Sequence, residues 1–195
     1  NLGFFIGYVG LDSRYMYMIT GVMLCMVFIT FPANKHSLAH VPWYDIAIMV
    51  VIAVIFSYYA YFAERIVLEA WEYAAPQVGV WLALVTWVIV LEAGRRAGGW
   101  PVFAIVLVFS LYPTFAASLP NVVAALSIPI QEVAIFHILG EESLFGIPMR
   151  VFAQLVFGFL VFGVSLQFTG GGPFFINFAF ALLGHLRGGP AKVSI

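Results

Sequence analysis

Two histidines four residues apart, His36 and His40, are the pair in this 195-residue chain whose type and spacing come nearest to metal chemistry. On a helix that spacing puts both imidazoles on one face. A zinc site needs three or four ligands, however, and no further one lies close in sequence. The chain has a single cysteine, Cys25, inside an apolar run, so neither a disulfide framework nor a thiolate site can be built. His137 and His185 fall at the ends of apolar stretches, not inside facing spans as haem ligation requires. Neither a His-Glu-x-x-His metal motif nor a Gly-x-Ser-x-Gly nucleophile turn occurs. His36 and His40 therefore read as solvated loop residues, with no metal ligand and no catalytic residue assigned.

Three other clusters remain. Ser165, Gln167 and Thr169 make a polar end to an apolar run and are the candidates for hydrogen-bonding a substrate, although contacts between helices are the commoner use of such residues. Gly170, Gly171 and Gly172 follow in "QFTGGGPFF"; without the lysine of a phosphate loop they read as a break between two helices. "LEAGRRAGGWP", residues 91–101, concentrates Glu92, Arg95 and Arg96 in a chain that otherwise avoids charge. Glu92 pairs with either arginine at i,i+3 or i,i+4 spacing.

The elements that must position these residues are membrane helices. The chain is 64% hydrophobic and 9% charged, against roughly 25% charged for a soluble domain, and its mean hydropathy is +1.05. The net charge of -1 offers no basic patch for nucleic acid. A crossing takes about 20 apolar residues, and five stretches qualify: 15–32, 43–63, 77–94, 99–119 and 148–168. They are continuous rather than alternating, which indicates helices and not barrel strands. The fold class expected is thus all-α and polytopic. "NLGFFIGYVG" reads as the tail of a truncated N-terminal helix, and "PFFINFAFALLGHL" (173–186) as a short helix near the C-terminus.

Two connecting segments carry helical patterns of their own. In 64–75, Ile66, Val67, Ala70, Trp71 and Ala74 share one face and Arg65, Glu69 and Glu72 the other, the pattern of an interfacial amphipathic helix with Trp71 and Tyr73 at headgroup depth. In 127–146, Ser127 can cap a helix, Pro129 suits its first turn and Gly140 can end it. The helix between is apolar nearly all round and should be buried against other helices or dip into the membrane.

Counting out the spans places Lys35, Arg95, Arg96, Arg187 and Lys192 on one side. Arg14, Arg65 and Arg150 fall on the other with Asp12, Glu64, Glu69, Glu72, Glu132, Glu141 and Glu142. The positive-inside rule makes the first side cytoplasmic, with Arg95, Arg96, Arg187 and Lys192 as topology anchors. Gly98 and Gly99 let the chain turn back there, and Pro101 starts the next helix.

At this point the residues resemble a family. "LVTWVIVLEAGRRAGGWPVFAIVLVFSLYPTFAASLP" is similar to the Leu-Glu-Ala-x-Arg-Arg-x-x-Gly-Trp region of fused permeases of tripartite ATP-independent periplasmic (TRAP) transporters, closest to the TAXI branch. "GIPMRVFAQLVFGFLVFGVSLQFTGGGPFFINFAFALLGHLRGGPAKVSI" resembles the start of the large subunit. The resemblance implies a small-subunit region (1–97), a connecting span with an amphipathic segment (98–146) and the start of the large transport subunit (147–195). It also implies a multi-pass protein of a bacterial or archaeal inner membrane. The partners implied are a periplasmic binding protein that delivers a small carboxylate, with Glu141 and Glu142 as docking candidates, and the lipid bilayer. Sodium is implied as coupling ion for an elevator-type movement, with the ion ligands downstream of this stretch. A non-transporting scaffold is the alternative, and a membrane enzyme a distant third.

Overall fold

A computed structural model describes residues 8–32, 42–118, 120, 125–140 and 142–183. The described elements are helical: α1 (Tyr8–Thr30), α2 (Trp43–Tyr61), the short α3 (Ala63–Leu68) and α4 (Trp71–Ala74), and α5 (Gln77–Phe115). A 3-10 turn (Ala116–Ser118), α6 (Ile130–Leu139), α7 (Ile147–Val151), a π-helical stretch (Phe152–Val156), α8 (Phe157–Phe168) and α9 (Gly171–Leu183) follow. They form two compact units, residues 1–150 and 151–195.

Helix formation in these runs follows from the membrane, where every backbone group must be bonded within its own segment. Hydroxyls inside the spans obey the same rule. Thr20 donates to Met16 O, Thr30 to Met26 O and Thr86 to Leu82 O, each one turn back. α1 begins at Tyr8 and continues unbroken through the Asp12–Arg14 stretch, so residues 8–10, read above as part of a separate truncated helix, belong to the first span.

α1 and α2 pack along Phe28, Ile52, Ile55, Phe56 and Tyr59, all buried. Gly21 makes this possible: a Cβ there would stand 2.8 Å from that of Phe56. Among the described residues four helices are long and apolar enough to cross a membrane: Ser13–Thr30, Trp43–Tyr61, Gln77–Ser118 and Ile147–Phe168. The third holds 42 residues, or about 63 Å at 1.5 Å per residue, twice a hydrocarbon core of roughly 30 Å.

Gly99 resolves the excess. Its φ of 78° and ψ of -178° interrupt the helix, in a region essentially reserved for glycine. In a straight helix Trp87 and Phe109 would stand about 33 Å apart, yet both line one cavity, as do Leu91 and Ile105. The two arms, 77–98 and 100–115, therefore fold back on each other, and the expected third and fourth crossings are both present. Pro113 stands in the second arm.

The 64–75 segment differs from expectation. It is not one amphipathic helix but two short ones, split where Ala70 takes a left-handed φ of 49°. Trp71 explains the break. Its indole is 3% exposed and packs where a Cβ on Gly79 would lie 3.3 Å away, while its Nε1–H donates to Glu69 Oε2 at 2.8 Å. A left-handed non-glycine residue costs about 1–3 kcal/mol, and burying an aromatic side chain of this size offsets it. Trp71 thus points inward against the first unit's own helices, while Tyr73 is 79% exposed.

In α6 the expected ends hold, with Pro129 before the first turn and Gly140 at the last. Ser127 does not cap it, because its hydroxyl accepts the N–H of Ala117. Val133, Ala134, Ile135, Ile138 and Leu139 are buried. In the second unit, α9 supplies the short helix expected near the C-terminus, described as far as Leu183. Among that unit's described residues only Ala153 is buried.

Candidate functional site

The chemistry gathers at the hairpin corner. Glu92 sits on the last turns of the first arm, so Arg95 and Arg96 lie one turn ahead of it on the same helix. Arg95 closes a two-pronged pair on the carboxylate, Nε to Oε2 and Nη2 to Oε1, both 2.7 Å. The same guanidinium lies 5.2 Å over the ring of Trp100, beyond the glycine break, and so braces the corner from both sides. Arg96 Nε takes the other face of Glu92 Oε1 at 2.8 Å.

Arg96 then turns away from solvent. Its side chain is 4% exposed, and its Nη2 lies 2.8 Å from Oδ1 of Asp45, which is fully buried. That contact is out of line for a hydrogen bond, so neither Asp45 oxygen receives a well-aligned donor; Coulomb attraction holds the pair. The guanidinium carbon stands 4.5 Å over the buried ring of Phe28, and Nη1 reaches Phe31 O at 3.4 Å. One side chain therefore joins three helix ends: the C-terminus of α1, the first turn of α2 and the end of the first arm. Both macrodipoles favour it, with Asp45 at a helix N-terminus and a cation at a C-terminal carbonyl.

A second polar contact ties α6 to the hairpin. His137 Nε2 lies 3.0 Å from Ser110 O and Nδ1 3.0 Å from Ser143 Oγ. A carbonyl only accepts, so Nε2 carries a proton; in the neutral ring Nδ1 then accepts from the Ser143 hydroxyl. Among the described residues no three His, Cys, Asp or Glu gather as metal ligands, and His36, His40 and His185 lie outside those residues.

The remaining sequence candidates are scattered. Ser165, Gln167 and Thr169 are all exposed. The Thr169 hydroxyl donates to Ser165 O at 2.8 Å, and Gly170, at φ 79°, sends its N–H to Gln167 O. These contacts close the helix end. At the end of the first unit opposite Arg96, Arg14 pairs with Glu64 at 3.0 Å and Arg65 with Glu69 at 3.4 Å. Nearby, Glu72 and, less strongly, Glu142 repel the ionised form of Tyr73 and raise its pKa, so both acids sit within electrostatic reach of that ring. Glu141, Arg187 and Lys192 lie outside the described residues.

Helices of membrane-crossing length, a reversed helical pair and a buried charge hub describe a polytopic membrane protein without naming its trade. The profile of the family described as "Tripartite ATP-independent periplasmic transporter, DctM component" matches residues 84–195, more than half of the chain. The chain belongs to this family. No curated protein and no solved structure matches it. As a DctM-family protein it is a membrane component of a TRAP transporter, and the family is one of transporters rather than enzymes. Its membership brings two partners, a periplasmic binding protein and the bilayer. The DctM match begins inside the first arm and takes in both sides of the corner, with Glu92, Arg95 and Arg96.

Asp45 is the member of this charge hub that sequence reasoning missed. "WYDIAIMVV" places a carboxylate three residues into an apolar span, and such a residue calls for a buried partner. That signal was available. The identity of the partner, far along the chain, was not.

Proposed function

We propose that the chain is the permease portion of a sodium-coupled, binding-protein-dependent transporter that takes up small carboxylates by an elevator-type movement, in the fused TAXI arrangement. The family match over 84–195 carries this reading. The fused arrangement, with residues 1–97 as small-subunit region, 98–146 as connection and 147–195 as the start of the large subunit, is supported by the Asp45–Arg96 pair. It binds helices that precede the match to the arm in which the match begins.

The role within that machine is a frame. Arg95 and Arg96 are held by Glu92 and Asp45 inside the first unit, and Ser165, Gln167 and Thr169 are exposed around the end of α8. This favours a stationary region, with residues 151–195 leading into the part that moves. Glu141 and Glu142 remain the docking candidates for the binding protein, where acids steer encounter more than they tighten it. In proteoliposomes, the whole transporter with its binding protein should take up carboxylate under an inward sodium gradient and not under a potassium gradient. Equal uptake under both would remove sodium coupling, and uptake without binding protein would remove the tripartite reading.

A further inference from the structure

α1 and α2 leave a trough on their exposed side that changes character along its length. At the end opposite Arg96 it is a cavity of about 770 Å³ with Arg14, Glu64, Arg65 and Tyr61 in its walls. Towards the middle of the helices it continues as an apolar cavity of about 360 Å³ between Val22, Cys25, Ile29 and Ala53. Met18 and Ser57 line both, so the two adjoin along the helix pair. The trough's floor is low because Gly21 has no side chain and Phe56 fills that space. From Met18 to Ile29 the helix rises about 16 Å, close to one leaflet of a hydrocarbon core roughly 30 Å thick.

The charged end has donors to spare. A guanidinium carries five N–H groups, and Glu64 takes one from Arg14. Arg65 meets Glu69 only at 3.4 Å, with both side chains more than half exposed, and exposed pairs of this kind contribute about 0–1 kcal/mol. A phosphodiester matches a guanidinium fork better. Tyr61, 77% exposed, stands at the rim, where membrane proteins place aromatic rings at headgroup depth. A free phosphate ion would leave the apolar length empty, and a packing helix would set apolar surface against two arginines. The walls suit a molecule with one phosphate and a long chain.

We propose that this trough binds one glycerophospholipid, its phosphate on Arg14 and Arg65 and one acyl chain laid between α1 and α2 past Val22 to Ile29. The test is the melting temperature of the purified chain in a neutral detergent, with three probes: dioleoyl phosphatidylglycerol, dioleoylglycerol and glycerol 3-phosphate. Phosphatidylglycerol should raise it by several degrees, and the tail-only and head-only probes should do far less. Arg14→Gln with Arg65→Gln should weaken the apparent affinity for phosphatidylglycerol about tenfold and leave the response to dioleoylglycerol unchanged. Ala53→Trp, at an exposed position, should abolish the phosphatidylglycerol increment measured against its own lipid-free value; Val22→Trp serves if Ala53→Trp does not fold. Equal responses to phosphatidylglycerol and dioleoylglycerol, or to phosphatidylglycerol and glycerol 3-phosphate, would overturn the proposal. So would an increment that survives both blocking substitutions. A photoreactive residue at position 22 should capture lipid in native membranes, and capture of a protein segment there would assign the trough to a packing helix instead.

Discussion

Arg96 shows how one side chain can carry several constraints at once. Removing one member of a buried ion pair leaves the other uncompensated, which typically costs about 3–5 kcal/mol, whereas replacing both with apolar groups is often neutral. Arg96→Met should therefore strongly lower the melting temperature in detergent, because Asp45 is left fully buried without its partner. Asp45→Leu combined with Arg96→Met should recover most of the loss, and a double-mutant cycle reads the difference. Arg96→Lys should fall between, since an ammonium cannot reach Glu92, Asp45 and Phe31 O as a fork does. At the opposite end, Tyr73 titrates above an ordinary phenol because of Glu72 first and Glu142 less. Glu72→Gln should bring that titration back down, as seen in the ultraviolet absorbance of the phenolate. A raised folded value means the contribution to stability is present below the ordinary tyrosine range near pH 10 and lost as the pH climbs through the folded value.

At the scale of elements, the spans were legible because continuous apolar runs of crossing length have few other uses. The corner at Gly98–Gly99 was legible from two glycines, a following proline and a charged flank. Other features were not. The break at Ala70 depends on the Trp71 indole finding a seat beside Gly79, a tertiary event that overrides a sound amphipathic pattern. The π-helical turn at Phe152–Val156 has no compositional mark. Asp45 and Arg96 could be judged individually, but their pairing depends on how three helix ends meet. The reversal itself is open to test. In a Cys25→Ala background, cysteines replacing Leu91 and Ile105 should be bridged by a short bifunctional maleimide, whereas in an unbroken helix they would stand about 21 Å apart. Gly99→Ala forces a side chain into φ 78° and should cost about 1–3 kcal/mol, with a reduced yield of that cross-link.

For the whole molecule, the charge distribution and the family reading make joint predictions. A cysteine at position 97 should resist membrane-impermeant reagents added from outside intact cells, while one at position 143 should react; the reverse pattern would invert the topology. The described residues gather polar groups into internal ties, so the chain by itself should show no sodium-specific rise in melting temperature over potassium at equal ionic strength. Such a rise would place an ion site within these residues and require the frame reading to be redrawn.

The Asp45–Arg96 contact also sets an order of events during synthesis. Asp45 precedes Arg96 by 51 residues and so leaves the ribosome ahead of it, and its carboxylate reaches the membrane without its counter-charge. On insertion scales an aspartate at a helix centre costs about 2.5–3.5 kcal/mol, less near an end, enough to leave α2 hesitant until the first arm follows. Nascent chains halted after α2 should therefore integrate less completely than chains halted after the corner. Asp45→Asn should erase that difference, making the late arginine the signal that commits an earlier helix to the bilayer.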